Sequence, residues 1–131
     1  METFATGDAP VDGAIAAGGG EVFWSYQAWV DEHHIYAAAA GATSRRVLVE
    51  DEDVVSTAAW GLAADDKYVY WAAHEDSRDI PGRGRLKRIR RCGGDPEVLV
   101  DDGTTVFDVA VSESAIYWTG GKNQVMRIKK E

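Results

Sequence analysis

Cysteine is almost missing from this chain, and long apolar runs are missing altogether. Cys92 is the only cysteine among 131 residues, so no disulfide can form within the chain. The longest run of small apolar residues, Ala37 to Ala40, is far shorter than the roughly 20 residues that a membrane-spanning helix needs. No window shows the pattern of an amphipathic helix of about ten residues, which excludes a helical solenoid.

The chain also has no recognisable export signal. Its first residues, METFATGDAP, contain neither the basic region nor the apolar region of a signal peptide. We therefore expect a cytoplasmic protein from the chain as written. If the chain is a fragment of an exported precursor, the expected location is extracytoplasmic.

Positive charge is scarce in the first half of the chain. The formal net charge is −8, but residues 1–66 carry twelve acids and two bases, whereas residues 67–131 carry ten acids and twelve bases. A net acidic chain does not attract nucleic acid or an anionic membrane as a whole. We therefore do not expect a nucleic-acid partner, although a local basic patch remains open.

An internal repeat is the strongest feature that is present. Residues 13–24 (GAIAAGGGEVFW), 60–71 (WGLAADDKYVYW) and 107–118 (FDVAVSESAIYW) share an apolar run, a turn and an aromatic–tryptophan end. Their aromatic pairs recur at a fixed interval of 47 residues, which is typical of propeller blades. We expect the repeated side chains to pack between blades: Phe23, Trp24, Tyr70, Trp71, Tyr117 and Trp118.

Alternating apolar positions and turn residues predict four short antiparallel strands in each repeat. We divide the chain into a weakly structured start with one possible strand at residues 3–6, two full units and an incomplete one. The predicted bounds are residues 1–12, 13–59, 60–106 and 107–131.

The predicted fold is therefore all-β, a β-propeller-like array of about three four-stranded antiparallel blades. Because propellers typically close with four to eight blades, three are a partial or half propeller. Either two chains pair head-to-tail into a six-bladed ring, or the chain is a fragment of a larger propeller. If the strand at residues 3–6 completes the last blade, the strand count is twelve.

Two segments carry a family resemblance. VYW at residues 69–71 and IYWTG at residues 116–120 resemble the YWTD-type β-propeller repeat. Residues 88–99 resemble the second half of the repeat in bacterial propellers of the YWTD, NHL and TolB-like kind. The resemblance covers about residues 13–131 and implies a six-bladed architecture that binds proteins or other ligands.

A basic segment at residues 83–91 offers a candidate surface for phosphate or nucleic acid. Alternation along a strand divides its six bases between two faces, so we favour a solvated or salt-bridged outer strand. The six bases are Arg83, Arg85, Lys87, Arg88, Arg90 and Arg91.

Other candidate chemistry is sparse. The carboxylates of residues 50–53 lack the spacing of a calcium loop, and we interpret them as turn acids. His33 and His34 are adjacent and point to opposite sides of a strand, so they cannot chelate together. His74 has no second cluster nearby, and Cys92 in its glycine-rich turn has no resolving partner.

These observations favour a non-catalytic binding or scaffold module that requires no cofactor and no metal. Its partner is a protein or a small ligand of unknown identity, and a homodimer that completes a six-bladed ring is possible. The alternative is a propeller-type lyase or hydrolase with a metal in the central channel. That reading comes from the similar streptogramin lyases, whose histidine spacing is not reproduced here.

Overall fold

The computed structural model describes residues 14–27, 33–42, 44–50, 61–75, 83–101, 106–120 and 124–130. All the regular structure in these ranges is β. The strands are β1 (Ile15–Gly18), β2 (Glu21–Gln27), β3 (His33–Ala39), β4 (Arg46–Glu50), β5 (Leu62–Ala64), β6 (Tyr68–Glu75), β7 (Arg83–Arg90), β8 (Glu97–Val100), β9 (Val106–Val111), β10 (Ala115–Gly120) and β11 (Gln124–Lys129).

The strands form three antiparallel sheets in which neighbours in sequence are neighbours in space. The first sheet has the order β1-β2-β3-β4, the second β5-β6-β7-β8 and the third β9-β10-β11. In the described ranges this gives the predicted sequence of four, four and three strands. The predicted strand at residues 3–6 lies outside the described residues, and the division into units remains a prediction.

The three sheets share one register. Ile15 pairs with Trp24, Leu62 with Trp71 and Val109 with Trp118. Three equivalent backbone hydrogen bonds of 2.9 Å close the third strand onto the first hairpin. They run from Ala40 N–H to the Gly20 carbonyl, from Arg91 N–H to that of Lys67 and from Lys130 N–H to that of Ser114. The repeat is therefore structural as well as sequential.

The hairpin turns form because short polar side chains accept bonds from the backbone that follows them. The Asp65 carboxylate accepts from the N–H groups of Lys67 and Tyr68, at 2.8 and 2.7 Å. The Ser112 hydroxyl accepts from the N–H of Ala115 at 3.1 Å. The first sheet instead uses Gly19, whose φ of 57° is one that side chains rarely adopt.

One predicted loop is shorter than expected. Residues 74–84 were expected to form a loop, but β6 extends to Glu75 and β7 begins at Arg83, with these two residues paired in the ladder. Proline cannot donate to a ladder, but Pro81 lies between the paired segments and does not interrupt them. The proline therefore limits only the middle of the predicted loop.

The core consists of two apolar clusters, each between consecutive sheets. Alternation along β6 divides its side chains between the two clusters. Val69 and Trp71 face the first sheet, whereas Tyr70 and Ala72 face the third. We call these clusters the first and the second junction.

Candidate functional site

The two junctions are built from the same repeat positions. At the first junction, Phe23 of the first sheet meets Trp71 of the second. At the second junction, Tyr70 of the second sheet meets Trp118 of the third. The phenylalanine–tyrosine position therefore faces the following sheet and the tryptophan position faces the preceding one. This alternation leaves one face without a described neighbouring sheet at each end of the array.

The outer face of the first sheet, called here the first end face, exposes an apolar residue that is buried elsewhere. Ile15 is 71% exposed. Its equivalents Leu62 and Val109, which pair with Trp71 and Trp118 in the same way, are only 7% and 6% exposed. The difference arises because the equivalents are covered by a preceding sheet.

The outer face of the third sheet, called here the last end face, repeats this observation. Val125 pairs with Thr119 and is 71% exposed. Its equivalents in the third strands of the other sheets are Ile35, opposite Ser25, and Leu86, opposite Ala72. They are 4% and 0% exposed, because each contributes to a junction with the following sheet.

The aromatic residues on the end faces differ from each other in burial. Trp24 on the first end face is buried and clusters with Tyr36, whose ring lies 6.0 Å away between centroids. Tyr117 on the last end face is half-buried. The exposed apolar part of the first end face is therefore its first strand, at Ile15 and Ala17.

A cation bridges each junction at one edge of the sheets. At the first junction, the Arg91 guanidinium donates to the Gly19 carbonyl at 2.9 Å and to the Glu21 carboxylate at 2.8 Å. Arg46 pairs with the same carboxylate. The hydrogen bond from Arg46 and then that from Arg91 lower the pKa of Glu21, against the effect of burial.

At the second junction Lys130 takes the equivalent place. Its ammonium lies 2.9 Å from the Asp65 carboxylate, which also accepts the Tyr70 hydroxyl at 2.8 Å. Burial opposes ionisation of Asp65, but the Lys130 and backbone hydrogen bonds outweigh it and lower its pKa to about 2. Burial and the adjacent carboxylate raise the pKa of Tyr70. The arrangement is a charged contact that links two sheets.

The first strands of consecutive sheets also approach closely. A Cβ at Gly61 would collide with the backbone and carboxylate of Asp108, so glycine is required where β5 meets β9. This contact places β1, β5 and β9 along one edge of the array.

The predicted basic surface on β7 divides between the two faces of the second sheet. Arg88 pairs with Glu97 at 2.8 Å and lies 4.2 Å over the Tyr68 ring, and Arg90 lies over the same ring. On the opposite face, Arg85 lies 3.4 Å from Asp101. Lys87 and Arg91 are on that face too: Lys87 is buried and Arg91 bridges the first junction. Arg83 is in the β6–β7 ladder, and its side chain lies outside the described residues.

The histidines and the cysteine do not come together. His34 carries a buried Nδ1 without a hydrogen-bond partner, and its ring meets Tyr36 edge-on. Cys92 is exposed in its turn. The described ranges contain no group of three His, Cys, Asp or Glu side chains that could hold a metal ion. The side chains of His33, His74 and the acids at residues 50–53 lie outside those ranges.

An open groove of ≈ 920 Å³ runs beside the turns of the second and third sheets. It is lined by Tyr117, Arg127, Lys129 and the acids Asp66 and Glu113, among others. Because charges of both signs line it, electrostatics alone selects no ligand class.

The junction cations were not recognised in the sequence, and the reason is the loop lengths. Arg91 and Lys130 are structurally equivalent but 39 residues apart, because the loop before the third strand is shorter in the third sheet. The same holds for Leu86 and Val125. Comparison at the fixed interval of 47 residues therefore aligns the first two strands of each sheet and misaligns the third.

Comparison with solved structures shows a related fold. A chain in the crystal structure of a nidogen/laminin complex matches with a TM-score of 0.52 and 18% sequence identity, over 88% of this chain and 58% of that one. No family model and no curated protein matches the sequence.

This likeness and the three stacked sheets define an all-β, β-propeller-like fold, which confirms the predicted fold class. The chain spans little more than half of the matched neighbour. Within the described ranges, no helical segment has the length and hydropathy that crossing a membrane requires.

Proposed function

We propose that this chain is a non-catalytic binding or scaffold module, an arc of propeller blades that binds protein through its two end faces. The observation that carries the proposal is the exposure of Ile15 and Val125 at positions that neighbouring sheets cover elsewhere. Contiguous apolar surface on a soluble protein marks a site of interaction. The matched neighbour is itself part of a complex of two proteins, nidogen and laminin.

Within the propeller-like proteins, we assign the chain to the bacterial YWTD, NHL and TolB-like group. The support is the VYW and IYWTG segments at residues 69–71 and 116–120, which occupy equivalent second strands β6 and β10.

The binding role of the end faces is testable without knowing the partner. We expect Ile15→Lys and Val125→Lys each to shorten retention on a phenyl matrix, because each charge interrupts an exposed apolar face. The matched control is Val98→Lys, since Val98 is half-exposed on the outer strand of the second sheet and lies on neither end face.

All three variants should keep the near-ultraviolet circular dichroism of the tryptophans, because none of the substituted residues is buried. Unchanged retention of both end-face variants, with their fold intact, would refute the binding role. An equal loss of retention for Val98→Lys would show that any exposed valine contributes and that the end faces are not special.

A further inference from the structure

We infer that the occupant of the end faces is a second copy of this chain, joined head to tail through two identical junctions into a ring of six sheets. The inference rests on the proposed function and specifies the partner. It requires the last end face of each copy to receive the first end face of the other.

The internal junctions provide the pattern for this contact. Ile35 of the first sheet and Leu62 of the second share one cluster, and Leu86 and Val109 share the other. In each pair the first member comes from the third strand of one sheet and the second from the first strand of the next. Applied once more, this pattern matches the exposed Val125 with the exposed Ile15 of the next sheet.

That next sheet belongs to another copy. Three sheets are fewer than the four to eight that close a propeller, so the last end face cannot reach the first end face of its own chain. Two copies provide six sheets, within that range. The contact is heterologous, and a second identical junction closes the ring and prevents open-ended growth.

Charge favours the head-to-tail arrangement over one in which identical ends meet. Residues 1–66 have ten more acids than bases, and residues 67–131 have two more bases than acids. Arg127 and Lys129 lie on the last end face, next to Val125 and Tyr117 along the third sheet. Contact between unlike ends therefore brings opposite charge together, whereas contact between like ends does not.

The new junction lacks one element of the internal ones. Ala40 occupies the position at which Arg91 and Lys130 bridge the internal junctions, as the equivalent backbone bonds to Gly20, Lys67 and Ser114 show. The contact between copies thus depends on apolar packing without a cationic bridge. We expect it to be weaker than the internal junctions and reversible on dilution.

The first measurement is solution mass by light scattering over a wide range of concentration. We expect twice the chain mass of 14.2 kDa at high concentration and a single chain on dilution. Ile15→Lys and Val125→Glu should each raise the apparent dissociation constant by at least about tenfold, because a charge replaces a buried aliphatic contact at both junctions. Val98→Lys should leave it unchanged.

Mixing the two variants tests the head-to-tail geometry directly. In an equimolar mixture of Ile15→Lys and Val125→Glu chains, one junction has both native residues and the other places lysine opposite glutamate. We therefore expect the mixture to recover the double mass that neither variant reaches alone. In an interface between identical ends, mixing restores nothing.

The outcomes separate this inference from the proposed function. A single-chain mass at every concentration, with shortened phenyl retention of the end-face variants, would overturn the second copy and leave the binding role standing. A dimer that is insensitive to both substitutions, or one that is not restored by mixing, would overturn the junction. A mass of three or more chains would overturn the two-copy ring.

Discussion

The interior and the ends of this array contain the same kinds of residue in opposite environments. Leu86 and Val125 occupy equivalent places in consecutive sheets, yet one is fully buried and the other is 71% exposed. The difference does not come from the residue, since both are aliphatic, but from the sheet that follows. A blade-like sheet therefore carries its neighbour's binding surface whether or not that neighbour is present.

The two internal junctions show which parts of that surface vary. Their apolar positions are equivalent, but Arg91 bridges to Glu21 at one and Lys130 to Asp65 at the other. The apolar contacts repeat because stacking requires them. The bridging ions need only unlike charges near one edge, so different residues can provide them.

The largest expected effect comes from truncating the buried member of the pair. Leu86→Ala should lower the free energy of unfolding by about 2–5 kcal/mol, because it leaves a cavity in the second junction. Val125→Ala should lower it by no more than about 0.5 kcal/mol when the chains are dilute enough to be separate. Urea unfolding followed by tryptophan fluorescence measures both. Equal losses would contradict the comparison of a covered and an open face.

A smaller effect is expected from pH at the second junction. The folded-state pKa of Asp65, about 2, lies below its usual 3.8, so its stabilising contribution is present above about pH 4 and is lost as pH falls towards 2. Asp65→Asn should cost about 1–2 kcal/mol at neutral pH, since partial exposure screens the ion pair. The variant and the original chain should converge in unfolding free energy near pH 2.

Other carboxylates also titrate in this range, and the Glu21 pKa is lowered as well. The informative quantity is therefore the difference between the two chains at each pH. A difference that stays constant from pH 7 to pH 2 would show that Asp65 acts through packing and not through its charge.

The smallest effect is a gain. Ala40→Arg places a guanidinium where Arg91 and Lys130 stand in the other sheets, opposite the exposed Glu113 in the turn of a second copy. We expect association to tighten by about threefold, in keeping with a partly exposed ion pair. Light scattering at several salt concentrations measures it, with Ala40→Gln as the uncharged control. A gain of the same size for glutamine would exclude a charge effect.

The sequence alone predicted the strands with few errors. The alternation of residues 68–73 and the turn at residues 65–67 correspond to β6 and its hairpin. Local chemistry decides such elements, because side-chain alternation and turn residues act within a few positions. The ends of β6 and β7 were missed, because pairing between strands continues as far as the ladder permits and not as far as composition suggests.

The candidate site was less accessible from the sequence. The aromatic positions were found because their strands are separated by turns of equal length. The third strands follow loops of unequal length, so the equivalence of Ile35, Leu86 and Val125 appears only in the ladder register. The bridging role of Arg91 depends on a contact with residues some 70 positions earlier, which no local pattern contains.

The amino-acid sequence by itself determined that this protein stacks small twisted sheets, because the period of its aromatic and turn residues encodes each sheet locally. Only the tertiary structure decided which of the repeated apolar residues are core and which are surface. Burial depends on whether another sheet lies alongside, and the residues of one sheet cannot specify that.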